Sequence, residues 1–176
     1  MPTTIRNVPG AAGAQSIATL NQHRLDLLNL RAGTLFHADA STPITLADIA
    51  AGSTLAVQVA FTAAVSAAFT AHIASACDPA TGIGAHRSAD ATNVLATPAG
   101  TDLTTCYARM NEVKAKGNAH GASAVFHPLA DAINSTTAPD ATTAATLATL
   151  ANEVKADLNA HFGAAFTHQA TVIGPA

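Results

Sequence analysis

Charge is the first thing this sequence has little of. Lys, Arg, Asp and Glu make up 11% of the chain, against about a quarter in an ordinary soluble domain. A surface so poor in ions suits a protein packed against neighbours better than a free monomer. Aromatics are 4% and Trp is absent, so the core must be thin and closely packed. The net charge of −3 offers no basic footprint for nucleic acid. Only two cysteines occur, Cys77 and Cys106, and they form no CxxC motif. HExxH, Walker and Ser-His-Asp patterns are missing as well, which leaves nucleophilic catalysis without support. The expectation is a non-enzymatic protein with no cofactor.

Membrane insertion is also disfavoured. The run from Ile49 to Cys77 has no charged residue and is long enough to span a bilayer. Its flanks, however, are Asp48 and Asp78, and its interior is largely Ala, Thr and Ser with Gln58 and His72. A helix buried on most sides fits better. Met1 to Gly10 has no apolar segment of the signal-peptide kind.

What the chain does have is alanine, about a quarter of its residues, and a repeat. Asn111-Glu112-Val113-Lys114-Ala115 followed by Asn118-Ala119-His120 recurs as Asn152-Glu153-Val154-Lys155-Ala156 followed by Asn159-Ala160-His161. Arg31 to His72, His120 to His161, His86 to His127 and His127 to His168 all span 41 residues. The step from His72 to His120 is 48, because an insertion falls around Asp78–Gly84. The chain thus divides into an extended arm, 1–14, and a helical-repeat domain, 15–176. Its four units cover about 15–53, 54–100, 101–140 and 141–176.

Each unit predicts one helix: Gln15–Ala32, Thr54–Ala76, Asp102–His120 and Ala141–Phe162. Val57, Phe61, Val65, Phe69 and Ile73 form a four-residue stripe. Leu147, Leu150, Ala151, Val154, Leu158 and Phe162 form a stripe at three- and four-residue spacing. Thr101-Asp102 and Pro139-Asp140 read as helix starts. The fold class is therefore all-α, with four helix-plus-connector repeats packing as a four-helix bundle. The connectors are long enough to run back along a whole helix, so alternating and same-direction arrangements both remain open.

Histidine is the obvious chemical suspect. Seven of the eight fall on the repeat: His72, His120 and His161 at helix ends, and His37, His86, His127 and His168 at connector starts. Imidazole is a common ligand of zinc or nickel, and a metal set would draw on His72, His120, His127, His161 and His168. Against it, His120 and His127, like His161 and His168, stand about 10 Å apart if helical. Structural capping of helix ends and connectors is favoured, by His37, His72, His86, His120, His127, His161, His168 and Arg31. Arg31 fits that role because Arg bonds carbonyls but is a poor metal ligand. Asp39, Asp90 and Asp131 are expected to turn the connectors. Asn118 and Asn159 read as caps, and Glu112, Lys114, Glu153 and Lys155 as solvated or partner-facing. Cys77 and Cys106 could form a disulfide only if their helices are antiparallel.

The repeated helix text, followed by His, Ala-Asp-Ala, Asn and a Pro/Thr/Asp helix start, resembles Ala/Thr-rich helical-repeat proteins of tailed bacteriophages. The likeness runs from Ala12 to His168 and is clearest in the third and fourth repeats. It implies a capsid decoration or cement protein in the virion, assembled in the host cytoplasm. Its partners would be the major capsid protein or another virion protein and further copies of itself, with neither nucleic acid nor membrane. A tail or fibre accessory role is one alternative, and a His-rich metal-binding helical bundle is another.

Overall fold

In the computed structural model, residues 43–76, 86, 88–127 and 130–164 are described. Among them are three helices, α1 (Leu55–Ala74), α2 (Leu103–Gly121) and α3 (Ala144–Phe162), and no strand. These belong to the second, third and fourth repeats. The helix expected over Gln15–Ala32 lies outside the described residues, and the described part is an all-α arrangement of three helices.

Local chemistry sets each helix start. Thr54 caps α1 by accepting from the Val57 amide, 3.4 Å away. Asp102 and Thr105 form a reciprocal capping box at α2, and Thr143 and Thr146 do so at α3. The start expected at Pro139-Asp140 therefore moves to Thr143. Asp140 is instead drawn to Lys114, 2.9 Å away.

The predicted stripes form the core. Phe61, Val65, Phe69 and Ile73 of α1 face Met110 and Val113 of α2 and Leu147, Leu150, Val154, Leu158 and Phe162 of α3, all buried. Each such side chain contributes about 1.5–3 kcal/mol on burial. Val57, the fifth member of the α1 stripe, is exposed. Small residues let the elements approach closely: a Cβ on Gly100 would lie 2.6 Å from the Cys106 Sγ.

Helix direction follows from the ends. His72, His120 and His161 occupy the last turns of α1, α2 and α3. Their rings lie 5.0–5.5 Å apart, centroid to centroid. All three C-termini meet, so the helices run the same way and each connector must return along the bundle.

The repeated polar residues hold those returning connectors. Asn118 binds Thr136 through both its amide groups, at 2.9 Å each. Asn111, two turns earlier, binds Ala141 likewise, while Lys114 donates to the Ala138 carbonyl at 2.7 Å. On α3 the same face grips the connector entering α1. Asn159 pairs with Ile44, Asn152 with Ile49, and Lys155 with Leu46 and Asp48. Glu112 and Glu153 take the amides of Ala96 and Thr97, and of Thr137 and Ala138. The solvated or capping roles expected of these residues are thus replaced by side-chain clamps on neighbouring backbone. An extended connector leaves its amides and carbonyls unpaired, and these side chains supply the partners.

α1 is long and apolar enough to cross a membrane by composition alone. Its Phe61, Val65, Phe69 and Ile73 are spent on the protein core.

Candidate metal centre

The joined helix ends enclose five imidazoles. Helix periodicity puts His72, His120 and His161 on the same face as the apolar stripes. The connectors bring in His86 and His127. His72, His86 and His127 are 0% exposed, His120 1% and His161 4%. One ring nitrogen from each of the five lies within 4.8 Å of every other. Phe162 packs 4.4 Å from His72, and Phe69 stands edge-on to His120 at 6.2 Å.

The seven-residue spacing that seemed to separate His120 from His127 does not apply, because α2 stops at Gly121. The chain turns over 122–127 and returns His127 to 4.5 Å from His120, ring to ring. His86 belongs to the group, although the sequence placed it only among capping residues. His168, His37, His23, Arg31, Asp39 and Cys77 lie outside the described residues. Cys106 is a buried thiol in the first turn of α2, its pKa raised by burial. It sits about 20 Å along the helix from the histidine end, where α1 finishes and Ala76 bridges to His86. That is the same-direction arrangement, in which Cys106 stands a helix length from the end where α1 finishes.

Four of the five rings are oriented from behind. His120 Nδ1 donates to Asp90 Oδ2, and His161 Nδ1 to Asp131 Oδ2, both at 2.8 Å. His86 Nδ1 donates to the Ser75 carbonyl and His127 Nδ1 to the Ser123 carbonyl, both at 3.0 Å. The aspartates also make the expected turns: Asp90 Oδ1 accepts from the Thr92 and Asn93 amides, Asp131 Oδ1 from those of Ile133 and Asn134. The second oxygen of each turns toward a histidine. This doubling is what the sequence signal missed, although it was present: Asp90–His120 and Asp131–His161 are each 30 residues apart.

The electrostatics select one reading of the protons. Burial pushes the Asp90 carboxyl upward, but hydrogen bonds from Asn93 and His120 outweigh it and hold the group below the usual range. Asn134 and His161 do the same for Asp131. Both are carboxylates, which only accept, and so are the Ser75 and Ser123 carbonyls. Nδ1 of His86, His120, His127 and His161 must therefore carry the hydrogen, and each Nε2 its lone pair.

His86 Nε2 then faces His120 Nε2 at 3.1 Å, lone pair to lone pair. A proton between them would create a buried imidazolium. Burial, reinforced by the neighbouring His120 and His127, lowers the His86 pKa to about 2. Burial also lowers His120, partly offset by Asp90, and takes His127 and His161 to about 4. His72 Nε2 adds a further contact to His86 Nε2 at 3.1 Å. What such a cluster can accommodate is a cation that accepts several lone pairs at once. Nδ1–H bonds to carboxylate or carbonyl are also the usual support behind metal-ligating histidines.

The sequence matches no protein-family model, no characterised protein and no solved structure.

Proposed function

We propose that this chain is a non-enzymatic structural protein, a helical-repeat bundle stapled at one end by a transition-metal ion bound to His72, His86, His120, His127 and His161. The observation that carries this reading is the 3.1 Å approach of His86 Nε2 to His120 Nε2, with both Nδ1 atoms already committed as donors. The burial of all five rings suits a closed structural site, since catalytic metal sites keep an open position. In this reading the first repeat, 15–53, completes a four-unit array.

The test is elemental analysis of protein purified without an affinity tag, before and after stripping and refolding with metal. About one equivalent of a transition metal per chain is expected. A protein that folds fully and holds none, even when metal is supplied, ends the reading.

The setting we favour is a virion, as a capsid decoration or cement protein. Supporting it are apolar side chains left in the open on the connectors: Ile133 is 92% exposed and Val125 70%. They would meet neighbouring copies or the shell protein. Quantitative protein composition of purified particles checks this. Hundreds of copies per particle support decoration, a handful point to the tail, and absence refutes a virion role.

A further inference from the structure

We propose that the centre takes one divalent late first-row transition-metal ion in five-nitrogen coordination supplied entirely by the chain, its charge balanced by Asp90 and Asp131. This rests on the metal-binding reading above and goes further by fixing the valence, the coordination number and two positioning residues.

The donor set comes first. Five imidazoles, with neither thiolate nor thioether among them, suit Fe(II), Co(II), Ni(II), Cu(II) or Zn(II) and do not suit soft Cu(I). Angles then narrow the choice. Two nitrogens about 2.1 Å from one ion and 3.1 Å from each other subtend roughly 95° at it. A tetrahedral pair at the same bond length would stand about 3.4 Å apart. His86 makes the near-right angle with both His72 and His120, the pattern of a five- or six-coordinate ion. At the other extreme, no two donors are more than 4.8 Å apart. That is close to the roughly 4.2 Å separating opposite ligands at this bond length, so one ion can touch all five after small shifts.

Charge fixes the valence. Asp90 and Asp131 are 2% and 8% exposed, and each is hydrogen-bonded to the Nδ1 of a ligand ring. Two carboxylates and a divalent ion sum to zero inside the protein. A monovalent or trivalent ion would leave a net buried charge, which is strongly disfavoured. The aspartates do not touch the ion. They set the tautomer and direction of His120 and His161 and make those rings better donors.

The experiment loads stripped, refolded full-length protein with Co(II). X-ray absorption should give five imidazole nitrogens at about 2.1 Å, and the visible bands should be weaker than those of tetrahedral cobalt. Asp131→Asn and Asp90→Asn keep an acceptor for Nδ1 while removing the charge. Each should bind one Co(II) with affinity lower by about 10–100-fold. Intense tetrahedral bands, a nitrogen count of four or fewer, or an oxygen ligand overturns the proposal, and wild type alone decides these. Undiminished affinity in both variants, with helical content intact, removes the charge-balancing role. If no ion binds to folded wild type, the metal-binding reading itself fails, which is a distinguishable outcome.

Discussion

Histidine at a helix end has two very different uses, and the partner of Nδ1 decides between them. His120 and His161 spend Nδ1 on Asp90 and Asp131, which turns the other nitrogen inward. Burial is the largest influence keeping His86, His120, His127 and His161 neutral; neighbouring imidazoles reinforce it at His127 and His161, at about 4, and at His86, at about 2. In the metal-free chain this carries a definite pH dependence. An unfolded chain takes up protons at these histidines once pH falls below about 6.5, whereas the folded chain resists until about 4. A depressed histidine pKa therefore leaves stability intact above about 6.5 and erodes it between there and 4. Urea midpoints in excess chelator should hold from pH 7.5 to about 6.5 and fall from there to pH 5, and a profile flat throughout would contradict the neutral cluster. The sequence made the repeated His and Asp positions visible. It hid their meeting, because spacing along one helix says nothing about rings brought together from separate repeats.

At the scale of elements, the repeated Asn-Glu-Val-Lys text is a clamp for a connector. Asn152 and Asn159 are two turns apart with Lys155 between, so all three face one strip of extended chain. Replacing Asn152 with Ala strands both the amide and the carbonyl of Ile49. Stability should fall by about 1–3 kcal/mol in chemical unfolding, and a change near zero would show that water replaces the clamp at no cost. Gly117 offers the opposite case. A Cβ there would lie 3.7 Å from Leu158 Cδ2, an ordinary contact. Gly117→Ala should therefore stabilise α2 by about 1 kcal/mol, the intrinsic helix preference, and destabilisation would reveal crowding against α3. Helix existence was legible from the stripes, and Asp102 from its capping chemistry. The shift from Asp140 to Thr143 was not, because a competing partner, Lys114, sits on another element.

For the whole molecule, helix direction is the property that creates the site. Antiparallel helices would scatter His72, His120 and His161 to opposite ends; returning connectors gather them at one. The length of those connectors was the clue in the sequence, and it left both arrangements open because reach alone does not choose a path. The choice lies in the Asn and Lys clamps, which lay the 122–143 connector back along α2, from Asn118 to Asn111, and pair the connector entering α1 with α3, as Ile44 with Asn159. The histidine centre is then where three repeats close on one another, and an ion bound there, as proposed, would join their ends as a single unit.

The most direct test of that claim is nuclear magnetic resonance of histidine-¹⁵N-labelled, metal-stripped protein titrated with Zn(II). The account predicts that ring nitrogens of His72, His86, His120, His127 and His161 shift together and saturate at one equivalent. His23, His37 and His168 should not follow them. Gradual movement of all eight, or no movement at one equivalent in a folded chain, would contradict it.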